Sequence, residues 1–290
     1  MLASLNLVQR NTLTIAALVL SVLLIFAVVI SVLVRDFAED MIGDALTARH
    51  DRAQSGLEEY LAGIETDLTV WVGDKTTARA LKAFERAWKL VDGDPLETLQ
   101  KQYIHDNPHP LGQKDKLEVP EGDISRYAKA HELYHHTFKQ LKDQSGYYDV
   151  FLISMDGDLI YSVYKELDYA TNLLNGAYKD SGLADVFRKA LETPDQTAFV
   201  DFRPYAPSYG APASFIARTV HGPKGEPVGV LAFQMPIDRL DRALGDRGAG
   251  MFAYVVGQDH LLRNNDPRIE GETILAHQVT EAAVDHAPWR

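Results

Sequence analysis

The 290-residue chain carries 41 acidic against 29 basic residues, a formal net charge of −12, and no cysteine. Every acidic residue follows Val34, so the bulk of the chain is strongly anionic, the reverse of a nucleic-acid-binding footprint, and DNA or RNA is not expected as a partner. The absence of cysteine removes disulfides, zinc fingers, thiol nucleophiles and iron–sulfur clusters, leaving an ordinary hydrophobic core to hold the fold.

Residues 12–34 (TLTIAALVLSVLLIFAVVISVLV) run for 23 positions without a formal charge. At about 1.5 Å per residue a helix here reaches roughly 35 Å, enough to cross a hydrocarbon core. The apolar stretch is too long for a cleavable signal, and Val32, Leu33, Val34 and Arg35 offer no small-x-small cleavage site. An uncleaved transmembrane anchor is therefore expected, with 1–11 as a short cytoplasmic tail. Lys/Arg counting across the span is nearly tied, and the acidic crowd Asp36, Glu39, Asp40 and Asp44 tilts the expectation towards N-in, C-out.

From 36 to about 72 no proline interrupts, and Leu57, Leu61, Ile64, Leu68 and Trp71 fall at alternating spacings of four and three. That is a heptad stripe on a helix, serving either to pack on its own domain or as a dimer seam. Helical spacing returns over 77–90, ends at Asp92-Gly93-Asp94-Pro95, and returns again over 125–144. Between them, 106–123 holds Pro108, Pro110, Gly112, Pro120 and Gly122 and reads as an irregular surface connection. Residues 35–145 thus form a long helical segment.

At Gly146 the pattern changes. YYDVFLIS and LIYSVY flank Met155-Asp156-Gly157-Asp158, a strong hairpin signal. Ser181 or Asp180 caps a helix to about Leu191, and TAFVDF, SFIARTV and VGVLAFQM supply three more strands, the last two joined by HGPKGEP. Pro236 suits the first position of a helix ending near Leu244. Short connections require antiparallel neighbours, so the expected class is α+β with five strands over 146–245. Beyond it, Gly250-MFAYVVGQ-Asp259-HLL echoes Gly146-YYDVFLISM-Asp156-GDLI, and 246–290 reads as the start of a second, incomplete module.

Four segments carry a family resemblance: HELYHHTF (131–138), GYYDVFLISMDGDLIYSVYKELDYATNL (146–173), DFRPYAPSYGAPASFIARTV (201–220) and GVLAFQMPIDRL (229–240). In these the chain resembles the extracytoplasmic double-Cache, PAS-like sensor region of bacterial methyl-accepting chemotaxis proteins and related receptors. The resemblance implies a sensor anchored in the bacterial inner membrane, its membrane-distal sheet binding a small ligand in the periplasm. It implies a homodimer joined along the long N-terminal helix, with no cofactor and no enzymatic activity. Sensor regions of histidine kinases and nucleotide cyclases share this plan. Such receptors continue into a second span and a signalling domain; neither precedes Arg290, which leaves the output open.

His131-Glu132-Leu133-Tyr134-His135 also matches the H-E-x-x-H pattern of zinc peptidases. A third ligand is hard to find, because strands follow and the neighbouring His136 and Lys139 make the helix polar. The resemblance implies a His-x-x-Tyr-His element here that does not depend on the glutamate, so no metal is expected. Asp156-Gly157-Asp158 is a turn, since Ile160 and Leu167 stand where a calcium loop needs oxygen ligands.

The ligand site is expected around 201–210, where two prolines stiffen a loop bearing Asp201, Arg203, Tyr205 and Tyr209. Tyr161, Tyr164 and Tyr169 on or near the hairpin would extend an aromatic lining, with Asp201 pairing an ammonium. Arg218 would hold a carboxylate if its strand face looks into the pocket, and Gln234 has the same two-way choice of face. Amines, amino acids and organic acids are the ligand classes these residues suit.

Overall fold

The computed structural model describes residues 7–244 and 252–279. The chain divides at Gln54 into two compact units. In the first, every described residue is helical, part of α1 (Leu7–Gly73), and the apolar side chains of 12–34 are exposed. This one helix is long and apolar enough to cross a membrane.

In the second unit, α1 continues to Gly73, and Ile64 and Leu68 enter its core while Leu61 remains 42% exposed. The heptad stripe thus serves, at Ile64 and Leu68, to pack the helix on its own domain. Asp74 starts α2 (Lys75–Trp88) by accepting from the Thr76 amide, and Asp94 with Pro95 starts α3 (Pro95–Gln100), which widens into a π-helical turn over Lys101–His105. Ser125 caps α4 (Arg126–Ser145), and Gly146 ends it at φ +67, a left-handed position that glycine adopts without a Cβ penalty.

Strands β1 (Asp149–Ile153) and β2 (Leu159–Ser162) form the expected hairpin, and α5 (Gly182–Glu192) starts on Ser181. After β3 (Ala198–Tyr205), β4 (Ala211–His221) and β5 (Pro227–Gln234) comes α6 (Ile237–Ala243), for which Pro236 is the cap rather than the first helical residue. All pairs are antiparallel, in the order β2-β1-β5-β4-β3. This is the expected α+β class, an open PAS-like sheet.

The sheet is covered on both sides. On one, Val150, Leu152, Tyr161, Ile216, Leu231 and Phe233 pack with α2, α4 and the end of α1. On the other, Phe151, Ile153, Val200, Phe215, Ala217 and Val230 pack with α5. Each large side chain so buried contributes about 1.5–3 kcal/mol. Alternation along each strand therefore decides which side a polar residue enters.

Two expectations change. Residues 203–205, expected as loop beyond the strand TAFVDF, belong to β3: Pro204 pairs with Pro212 on an edge strand, where a missing amide is tolerated. The connection 106–123 is not wholly superficial either. Asp115 and Leu117 are buried, because Lys139 (2.9 Å) and Lys142 (3.0 Å) both donate to the Asp115 carboxylate. Part of the 250–262 repeat lies outside the described residues; what is described has an antiparallel bridge between Val256 and Leu262.

Candidate functional site

The strand register places Asp149 opposite Gln234, and Gln234 opposite Phe215, so the three side chains share the α5 side of the sheet. Phe215 meets the Tyr205 ring edge-on at 4.9 Å, and the Tyr205 hydroxyl donates to Asp168 Oδ2. Asp149, Asp168, Tyr205 and Gln234 are all buried. The Asp168 Oδ1 and Gln234 Oε1 atoms have no hydrogen-bond partner. Leaving a buried polar atom unpaired costs about 1–3 kcal/mol, so their presence calls for a reason.

The connection from β2 to α5 builds this side. Asp149 Oδ1 accepts from the amides of Val150 (2.7 Å), Val163 (2.9 Å) and Tyr164 (2.9 Å), fixing where the chain leaves β2. Lys165 and Ala170 then take left-handed φ of 59 and 64, which fold the segment back on itself. Gln100 clamps it by donating to the carbonyls of Leu167 (2.9 Å) and Tyr169 (2.8 Å), and Asn172 ties its end to Asp158 (2.8 Å). The turns present Glu166 and Asp168. Glu166 accepts from the hydroxyls of Tyr148 and Ser208.

Burial dominates the electrostatics. It raises the pKa of Asp168 to about 7, helped by the neighbouring Glu166 and opposed by the Tyr205 hydrogen bond. Burial also raises the pKa of Asp149 and of Glu166. Lys165 is fully buried; desolvation lowers its pKa to about 7, against the attraction of Asp149 and Asp115. Its ammonium donates to the Val163 carbonyl (3.1 Å).

The sequence-derived residues divide between several environments. Tyr205 and Gln234 join the cluster just described. Tyr161 is buried on the opposite side of the sheet, where its hydroxyl meets His135 Nδ1 at 2.7 Å. Tyr164 lies against Tyr148 (5.0 Å between centroids) with the Lys142 ammonium 5.4 Å over its ring. Asp201 is paired with Arg263, whose Nε lies 3.0 Å from both carboxylate oxygens. Arg203 is paired with Asp185 on α5, and Tyr209 is 70% exposed. Arg218 is on the α1/α2/α4 side, donating to Thr69 (3.0 Å) and the Asp195 carbonyl (2.7 Å). Tyr169 is buried and hydrogen-bonded to Tyr127 at 2.6 Å.

Asp149, Glu166 and Asp168 were not singled out from sequence. Their signal was present: Asp149 interrupts an apolar strand run, and Lys165-Glu166-Leu167-Asp168 adds charge to a hairpin end that has neither glycine nor proline.

The H-E-x-x-H helix has a different use. His135 Nε2 faces the Asp115 carbonyl (2.7 Å) and His131 Nδ1 faces the Glu118 carbonyl, so these nitrogens carry the protons. Tyr161 therefore donates to His135 Nδ1, and the His131 and His135 rings stack at 4.3 Å. Burial lowers the pKa of His135 to about 3 and holds His131 well below its usual range. Glu132 is exposed on the other side of the helix, and among the described residues no group of three or more His, Asp or Glu side chains is placed to hold a metal ion.

No family model and no curated protein matches the chain. Solved structures do. The sensor domain of the V. cholerae histidine kinase DctB is 14% identical, covers 71% of this chain and 73% of its own, and superposes with a TM-score of 0.37. The periplasmic domain of Vibrio cholerae LuxQ is 11% identical over 76% of this chain and 81% of its own, at 0.41. The ligand-binding domain of the Pseudomonas fluorescens chemoreceptor CtaA, in complex with L-serine, is 16% identical over 81% of this chain and 82% of its own, at 0.36. The chain is similar to sensor and ligand-binding domains of receptors, the kind of protein its sequence resembles.

Proposed function

We propose that the chain is the ligand-sensing input region of a bacterial transmembrane receptor, of the chemoreceptor type or its histidine kinase or cyclase counterparts. Residues 12–34 anchor it in the plasma membrane, the sheet lies on the periplasmic side, and two copies pair along α1. Residues from 246 onward begin a second, membrane-proximal module. The ligand is a small molecule taken up on the α5 side of the sheet.

One observation carries this reading: Asp168 Oδ1 and Gln234 Oε1 are buried without partners, beside the Tyr205 and Phe215 rings. A few polar groups converging in an aromatic lining is the composition of a small-molecule site. Binding must favour one arrangement of α1 over another for occupancy to be transmitted.

The test is a thermal-shift screen of the full chain in detergent against amines, amino acids, organic acids and sugars. A ligand at about 100 times its Kd stabilises the fold by ~2.7 kcal/mol, a clear rise in Tm. Failure of every class to raise Tm would refute the reading.

A further inference from the structure

The carboxylates on the α5 side are not equally matched by charge. Glu166 has Lys114 nearby and accepts two hydroxyl hydrogen bonds. Asp149 has Lys165 nearby and accepts three backbone amides. Asp168 has neither. Its electrostatic neighbours are the Tyr205 hydroxyl, Glu166 and local backbone groups, and its Oδ1 is buried with no partner. The described cations nearest in function are committed elsewhere: Arg203 to Asp185, Arg218 to Thr69 and the Asp195 carbonyl. Lys165 has Asp149 as its foremost attraction, ahead of Asp115, so its ammonium is matched to that carboxylate, and it is not among the leading groups acting on Asp168.

Resting on the reading of this side as the ligand site, we propose that Asp168 Oδ1 anchors the ligand's charged end and that the ligand is a small organic ammonium rather than a carboxylate. Gln234 supplies an independent second contact. It is 4% exposed, its amide oxygen is unpartnered, and its strand position aims it to the same side as Asp149 and Phe215. A ligand ammonium would donate to both oxygens and lie against the Tyr205 and Phe215 rings, which favour a cation over their faces. A ligand carboxylate would instead meet the unneutralised Asp168 with no guanidinium beside it, a like-charge contact in a low dielectric.

Calorimetric titration of the full chain in detergent with two matched sets decides this. One set is butane-1,4-diamine, 4-aminobutyrate and succinate; the other is 2-phenylethylamine, phenylalanine and 3-phenylpropionate. An amine is expected to bind tightest in at least one set. Asp168→Asn is expected to raise its Kd about tenfold or more, the loss of one charge-assisted hydrogen bond. Tyr205→Phe, which keeps the carboxylate but removes its one side-chain donor, is expected to leave the preference for amine over acid in place. Because Asn still accepts from Tyr205, far-UV circular dichroism of Asp168→Asn should match the parent; if that variant does not fold, Tyr205→Phe and Gln234→Leu carry the test, and Gln234→Leu should weaken the amine selectively.

Tightest binding by succinate or 3-phenylpropionate, or an amine Kd unchanged in Asp168→Asn, would overturn the assignment. So would a set in which amino acids bind and no amine does. Each of these leaves the sensing role intact, whereas absence of any binder in the wider screen would remove both.

Discussion

On the α4 side of the sheet, His131 and His135 are buried as neutral rings, each with a nitrogen on a backbone carbonyl, and Tyr161 donates to the remaining nitrogen of His135. The unpartnered atoms there include the Tyr103 hydroxyl and His131 Nε2, a neutral donor and a neutral acceptor whose rings lie 4.7 Å apart. On the α5 side the unpartnered atoms are two acceptors, one of them on a carboxylate. Both sides bury and pair polar groups, but the atoms left without a partner differ in kind: a donor beside an acceptor on the first, two acceptors on the second. The α4 side holds the helices on the sheet, whereas the α5 side leaves two acceptor oxygens without a hydrogen-bond donor.

The largest expected effect would break the α4 side. Phe84 touches the rings of Tyr127, His131, Tyr134 and Tyr161 and is fully buried. Phe84→Ala is expected to cost about 3–5 kcal/mol in denaturant unfolding, through lost burial and a cavity. Tyr161→Phe, which strips His135 Nδ1 of its donor, should cost ~1–3 kcal/mol. The α5 side should respond with the opposite sign: Gln234→Met replaces an unpaired amide with an apolar chain of similar length. It should leave stability unchanged or raise it by about 1 kcal/mol while abolishing any ligand-induced rise in Tm. A loss of stability as large as that of Tyr161→Phe would erase the contrast.

Acidification sharpens the same comparison. His135 binds its proton near pH 3 in the fold and near 6.5 when free, so the unfolded chain takes up more protons between those values and falling pH destabilises the protein. Asp168 protonates near 7 in the fold and near 3.8 when free, so the folded chain takes up more protons and falling pH stabilises it. The two oppose each other between about pH 4 and 6.5. In Asp168→Asn the Asp168 contribution is removed while those of the histidines and the other buried carboxyls remain. Its stability should therefore fall more steeply from pH 7 to 4 than the parent's, by at most about 1.4 kcal/mol per pH unit, measured as urea unfolding across that range. An equal slope in the two proteins would show that Asp168 stays ionised.

The smallest effect is expected outside both sides. The Arg203–Asp185 pair is part-exposed, and Arg203→Ala should shift stability by about 1 kcal/mol or less and leave ligand affinity unchanged, by the same thermal-shift and calorimetric measurements.

Sequence reading reached the hairpin, the helix that Ser181 caps and all five strands because those signals are local: the Asp156-Gly157 turn between apolar runs, and Ser181 just before helical spacing. It stopped β3 short because Pro204 reads as a breaker, and only the strand's place at the sheet edge makes that proline harmless. The site was less legible. Tyr205 and Gln234 were in view, but Asp149 and Asp168 resemble solvated charges until their partners are known. Those partners are distant: the amides that hold Asp149 include Val163 and Tyr164, and Tyr205 reaches Asp168 across 37 positions. Asp201 and Arg203, adjacent to Tyr205 in sequence and similar in promise, turn out to be neutralised by Arg263 and Asp185.

The two outer strands of the sheet differ in how they end it. β2 is only four residues long, while β3 carries Pro204 and a register shift between Val200 and Arg203. Unpaired strand edges are templates for adding a further strand, and short length, bulges and proline each spoil the template. Where copies of the chain meet, such edges keep neighbouring sheets from zipping into a continuous β-structure. Replacing Pro204 with valine would restore an edge amide and is expected to make the protein more prone to self-association through its sheets.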